Sequence, residues 1–144
     1  MIRQATLEDI PKIVAMGNQF YELVDLPVDY DPSSVSATMK QLIESDLGAI
    51  FVDDEVNGAI GALLYPHYFN HNILTGGELF WWVSPEYRGK LGSELLDAME
   101  DWVESMGAAS FQMIALEDYK PDLLGKIYGK RGYSPLEHTY LKAM

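Results

Sequence analysis

Apolar residues recur at helical spacing in two early stretches of the chain. Ile10, Ile13, Val14, Gly17, Phe20, Tyr21 and Val24 mark one helix, opened by Thr6 and Asp9 in a Ser/Thr-x-x-acid pattern and running to about Val24. After the loop "LPVDYDPS", Val35, Met39, Leu42 and Ile43 mark a second, with Ser34 placed to cap it. The period then changes. "GAIFVDDEVNGAIGALLYPHY" reads as two strands joined by an Asp/Asn/Gly turn, and "GELFWWVS" as a third, apolar enough to be covered on both faces. From 95 onward Leu95, Leu96, Met99, Trp102, Val103 and Met106 form one helix face, opposite Glu94, Asp97, Glu100, Asp101 and Glu104, with Gly107 at the end. "SFQMIAL" is a further buried strand, residues 122–130 a short helix closed by "KRGY", and "YSPLEHTYLKAM" suits one or two final strands. With "MIRQA" as an opening strand, the order is strand, two helices, three strands, helix, strand, helix, strand. Without repeats or a linker, residues 1–144 are expected to form one α/β domain.

Composition narrows the classes of function. The net charge of −12 disfavours nucleic acid and anionic membranes as partners. No apolar run could span a bilayer, and the N-terminus lacks a signal peptide's apolar core, so a cytoplasmic protein is expected. There is no Cys, hence no thiolate nucleophile and no Cys-type zinc site. No metal site is expected from the three His either, because Pro66 and two Asn argue against a helix that would align His67 with His71.

Charge is unevenly spread. Residues 1–87 hold 13 acids and only Arg3, Lys12 and Lys40 as bases, whereas 88–144 hold 9 acids and seven bases. Two windows contain no acid, "RGKLGS" at 88–93 and "GKIYGKRGY" at 125–133. They are either a local anion site or ordinary surface lysines. The first opens a helix after an apolar strand. Unpaired amides at a helix start attract anions, Gly lets a ligand approach the backbone, and Arg88 and Lys90 add full charges. Ligands of α/β sheets gather at the carboxyl ends of strands, which favours a phosphate or pyrophosphate there over plain turn punctuation. The segment is neither a P-loop nor a dinucleotide fingerprint.

"VSPEYRGKLGSELL", followed some thirty residues later by "YGKRGY", resembles the GNAT superfamily of acetyl-CoA-dependent N-acetyltransferases, and the closing "GYSPLEHTYLKAM" resembles its compact phage and bacterial members. The resemblance implies a mixed, mostly antiparallel sheet flanked by about four helices. It implies that Arg88, Gly89, Lys90, Leu91, Gly92 and Ser93 hold the pyrophosphate of coenzyme A, and that Val83, with Ser84 beside it, meets the pantetheine and acetyl carbonyl. It places Tyr128 where a tyrosine protonates the departing thiolate. Two departures stand out: the loop is one residue shorter than Arg-x-x-Gly-x-Gly, and Pro121 and Leu124 replace the usual Asn and Ala.

Acyl transfer to an amine requires a base, because the amine attacks only when neutral, and an acid for the thiolate. Glu78, at the start of "ELFWWV", is the candidate base, or else simply a solvated strand end; Tyr128 is the acid, or else an aromatic packed under the sheet. Tyr65, His67, Tyr68, Phe69 and His71 either line the acceptor site or form an exposed loop or a homodimer contact. Glu22, Asp25, Asp29 and Asp31 would attract a cationic amine if they border its cleft, and otherwise serve solubility. The function expected is therefore acetyl transfer to the primary amine of a small molecule or peptide. The alternative is a catalytically idle module that kept the scaffold to bind CoA or a protein.

Overall fold

Asp9 opens the first helical segment by closing three contacts at once. Its carboxylate accepts the Thr6 amide at 2.8 Å and two bonds from the Arg3 guanidinium at 2.8 and 3.0 Å. The Arg3 bonds hold the Asp9 carboxyl down at about 2, against the cost of its burial. In the computed structural model, which describes residues 1–144, a 3-10 turn at Leu7–Asp9 leads into α1 (Ile10–Tyr21), with Pro11 in the first turn where a missing amide costs least. The second helix, α2 (Pro32–Glu44), starts earlier than a cap at Ser34 implies. Asp31 is the cap: its carboxylate accepts from the Ser34 amide, and Pro32 takes the first helical position.

Five strands form one sheet in chain order: β1 (Ile2–Gln4), β2 (Gly48–Asp53), β3 (Gly58–His67), β4 (Asn70–Val83) and β5 (Ser110–Gln112). The first four are antiparallel, and β5 lies parallel to β4. Two helices follow β4 and β5 respectively, α3 (Lys90–Ser105) and α4 (Pro121–Lys130). This is the mixed, mostly antiparallel sheet with four helices that the sequence led us to expect. Each face carries its own core. Ile13, Met16, Met39 and Leu42 of α1 and α2 pack on Ile50, Val52, Ala59 and Phe80. Across the sheet, Leu95, Leu96, Met99 and Val103 of α3 pack on Ala49, Ile60, Ala62 and Leu64. The apolar run in β4 follows from this double cover: Phe80 and Trp82 pack in the first core, Trp81 and Val83 in the second. No helix is long and apolar enough to cross a membrane.

Three elements differ from the sequence reading. β4 begins at Asn70, so β3 and β4 make one long hairpin turning at Tyr68 and Phe69. β5 stops at Gln112, short of the apolar residues that follow it. No final strand forms, because residues 134–144 find no sheet neighbour within the chain and are exposed throughout. One irregularity within β4 positions the site. Gly61 opposes Phe80 but Ala62 opposes Glu78, leaving Leu79 as an extra residue. Since Ile60 opposes Trp81, the bulge places Glu78 on the same face as Trp81.

Candidate active site

β4 and β5 pair only over Thr75–Gly77 and Ser110–Gln112. Beyond that point they part, and two side chains take over hydrogen bonds that the ladder no longer makes. Glu78 Oε1 accepts the Ile114 amide at 2.7 Å. The Tyr128 hydroxyl, from α4, donates to the Ile114 carbonyl at 2.6 Å and stands 3.5 Å from Glu78 Oε1. The two catalytic candidates, fifty residues apart, thus meet at the split between the strands, both buried. Burial pushes the Glu78 carboxyl up to about 7, while the bonds from Ile114 and Tyr128 pull it back. Burial, reinforced by the neighbouring Glu78 charge, raises the Tyr128 phenol well above its ordinary value, so it keeps its proton at any working pH. A carboxyl that titrates near neutrality thus stands against a phenol that keeps its proton.

This environment has a measurable effect on stability. Between the unfolded carboxyl's 4.5 and the folded value of about 7, the native chain holds a proton that the unfolded chain has released. Stability therefore falls as pH rises through that window, by about 3 kcal/mol. Glu78→Gln keeps an acceptor for Ile114 and should flatten the dependence. Urea midpoints for both proteins from pH 4.5 to 8 check this; parallel curves would show that Glu78 is not protonated in the native state.

Beside the split lies a cleft of about 570 Å³, within the range of small-molecule sites. Its walls are Trp81–Pro85 at and just past the end of β4, the start of α3, Met16, Gln19 and Phe20 of α1 with Leu23 just after it, and Leu123, Leu124 and Ile127 of α4. From Leu79 onward the β4 edge that faces this opening has no strand neighbour. At the far end, Gly89 takes φ +111° and ψ −111°, a conformation open to Gly, and the chain enters α3 directly behind it. The first amide of α3 to find a backbone partner is that of Ser93, so those of Lys90, Leu91 and Gly92 are free to bind an anion. Arg88 and Lys120 are the only charged residues in the lining, an acid-free surface on a strongly acidic chain. Both cations lie over the Tyr119 ring, at 5.7 and 5.6 Å, and Phe20 meets that ring edge-on at 5.1 Å.

Of the residues singled out for cofactor binding, Val83, Ser84, Arg88, Gly89, Gly92 and Ser93 line the cleft. The Lys90 ammonium is exposed and pairs with Glu94 at 3.6 Å, and the Leu91 side chain packs into the α3 core, which leaves these two only their backbone amides to offer. The second acid-free window adds no charge to the cleft. Its Arg131 is neutralised by Asp97 and Glu100, at 2.6 Å each, and also holds Ser93 Oγ at 3.0 Å. Tyr65, His67, Tyr68, Phe69 and His71 lie around the hairpin turn, at the opposite end of β4 from the cleft. Asp31 is occupied as the α2 cap, while the Asp25 amide bonds Asp118 and ties the α1–α2 connection to the loop that carries Tyr119. The α1 wall, Tyr119 and Lys120 were missed by the sequence reading; the one available signal was a second cation, Lys120, directly before the Pro that starts a helix. No cluster of His, Asp or Glu has a metal site's composition.

Comparison with known proteins agrees with this fold. Solved structures with the same fold include a transcriptional regulator from Bacillus halodurans C-125, 20% identical over 99% of this chain and 97% of that one, with a TM-score of 0.75. A predicted acetyltransferase with acetyl-CoA from Clostridium acetobutylicum is 16% identical over 99% and 95%, with a TM-score of 0.76. A ribosomal-protein-alanine N-acetyltransferase from Brucella melitensis biovar Abortus 2308 is 15% identical over 100% and 99%, with a TM-score of 0.71. At these identities the likeness is one of fold. No curated protein matches the chain in sequence. The model of the acetyltransferase (GNAT) family, however, matches residues 19–123, from the α1 wall of the cleft through the split strands to the start of α4. With most of its length matched, the chain belongs to the GNAT acetyltransferase family.

Proposed function

We propose that this protein is an N-acetyltransferase that moves an acetyl group from acetyl-CoA directly to the primary amine of a small molecule or peptide. One observation carries the reading: a buried carboxyl with a pKa of about 7 meets a protonated phenol where β4 and β5 part. An amine bound there as its cation can give a proton to Glu78, which becomes ionised near neutral pH. The Tyr128 hydroxyl can give its proton to a departing thiolate, and must release the Ile114 carbonyl to do so. The unpaired edge of β4 near Val83 offers backbone groups to a developing oxyanion.

The cleft suits acetyl-CoA, which supplies the acyl thioester when bound. Arg88, Lys120 and the free amides of Lys90, Leu91 and Gly92 would hold its phosphates, with Ser93 beside them; Val83, Ser84 and the apolar wall of α4 would hold its arm. Direct attack without an acyl-enzyme fits a chain that has no Cys. The Brucella neighbour acts on a ribosomal protein's alanine by its description, which supports a peptide N-terminus as one acceptor to test.

Acetyl-CoA at a hundredfold over its dissociation constant should stabilise the protein by about 2.7 kcal/mol, several degrees in Tm. Arg88→Glu should abolish that shift without lowering the Tm of the protein alone, since Arg88 is exposed. An amine panel with acetyl-CoA then reads turnover. No shift at millimolar acetyl-CoA would discard the enzyme reading in favour of an idle module on the same scaffold.

A further inference from the structure

The cleft reaches both faces of the sheet, since Trp81 and Trp82, which pack in opposite cores, both line it. The groups assigned to acetyl-CoA lie along Val83, Ser84, the start of α3 and α4, and they leave the α1 side of the cleft unused. Three rings stand there in a row. Trp82 is fixed from behind: Phe80 stacks on it at 4.3 Å, and its indole lies so close to α1 that a Cβ at Gly17 would stand 2.5 Å from the ring. Phe20 comes next, 6.2 Å from Trp82, and then Tyr119, 5.1 Å from Phe20. The Asp25 amide bonds Asp118 at 3.0 Å, which ties the connection after α1 to the loop that carries Tyr119 and preorganises the row. Met16 and Leu23 complete this wall, and Gln19 adds its amide.

We infer that the acceptor is a primary amine carried on an aromatic or branched apolar body with no second charge, and that Phe20, Trp82 and Tyr119 select that body. The amine rests on the acetyl-transfer reading; the preference for what carries it rests on the lining alone. A flat apolar group laid along the three rings gains contact with their faces and edges and strips water from little polar surface. A second ammonium meets the opposite conditions. None of Glu22, Asp25, Asp29 and Asp31 lines the cleft, and the two charges that do, Arg88 and Lys120, are positive and already lie over the Tyr119 ring. A polyamine, or a lysine side chain among other cations, would lose water there without gaining a counter-charge. The net charge of −12 draws cations to the outside of the protein, but the cleft does not share that sign. Two sources offer the required chemistry, a free arylalkylamine and a peptide whose first residue is aromatic.

Calorimetric titration of the full chain, with CoA and without it, tests this with 2-phenylethylamine, the peptide amide Phe-Ala-Ala and 1,4-diaminobutane. At least one of the two aromatic amines should bind about tenfold more tightly than the diamine, or better; which of them does so tells a free amine from a peptide. Gln19→Glu puts a carboxylate into the wall at an exposed helix position and should narrow the preference by about tenfold. Phe20→Ala should weaken the aromatic amine by about tenfold and leave the diamine unchanged. Both variants should keep the acetyl-CoA shift in Tm, because neither residue is assigned to the cofactor. Equal affinities, a tighter diamine, or no binding by either aromatic amine overturns the inference, and so does a preference that survives both variants. An aromatic preference in a protein that shows no acetyl-CoA shift would overturn the enzyme reading instead and leave the selective site standing.

Discussion

Changing Tyr128 to Phe should lower kcat for acetyl transfer by about 10²-fold or more while acetyl-CoA still raises the Tm. The ring stays where it packs, 6.1 Å from Trp81 and 5.7 Å from Tyr133, and only the hydroxyl is lost. That hydroxyl has a second task, donating to the Ile114 carbonyl, so the variant should also lose about 1–3 kcal/mol of stability. The two effects separate cleanly. A stability loss lowers the urea midpoint and the folded fraction, whereas loss of the acid lowers kcat per folded molecule. Unchanged kcat with a lowered midpoint would reduce Tyr128 to a fastening for Ile114 and remove the acid from the mechanism.

Gly76→Ala should cost about 3 kcal/mol and lower the Tm by roughly 10 °C. A Cβ at Gly76 would stand 2.4 Å from the Leu63 carbonyl oxygen and 2.4 Å from Leu64 Cδ2. The oxygen belongs to the β3–β4 ladder and cannot retreat without opening it. Gly125→Ala is the control, because nothing lies within 4 Å of its Cβ on α4 and helix propensity alone should stabilise it by about 1 kcal/mol. Thermal melts of both variants check the pair. A Tm for Gly76→Ala within about 2 °C of wild type would mean that the hairpin yields locally.

The parts of this molecule legible in its sequence are those decided by local periodicity. The apolar stripes of α1 and α3 and the double-faced run of β4 needed no knowledge of partners, and the motif around Arg88 and Tyr128 pointed to the family. What escaped depends on contacts distant in sequence. β5 looked longer than three residues because "SFQMIAL" continues with four apolar residues after Gln112; it stops where Glu78 and Tyr128, from elsewhere in the chain, claim the backbone of Ile114. The aromatic residues 65–71 looked like a loop between separate strands, but the hairpin carries them to the end remote from the cleft. Asp31 outcompeted Ser34 as a cap because Pro32 suits the first helical position, a choice the sequence contained and the pattern of apolar residues hid. The tail reads as a strand, but residues 134–144 find no sheet neighbour within the chain, which local propensity cannot foresee.

The extra residue at Leu79 makes β4 a strand in two phases. Side chains before it and after it alternate out of step, and Glu78 reaches the Trp81 side of the sheet only because of that slip. The Glu78 carboxyl is therefore positioned by parity as much as by chemistry. Deleting Leu79 would only restore regular pairing with Glu78 still opposite Ala62, whereas pairing Leu79 as an ordinary strand residue would shift Glu78 opposite Leu63 and turn it towards the α1 side, so the bulge, and not the length of the strand, decides which face receives the carboxyl.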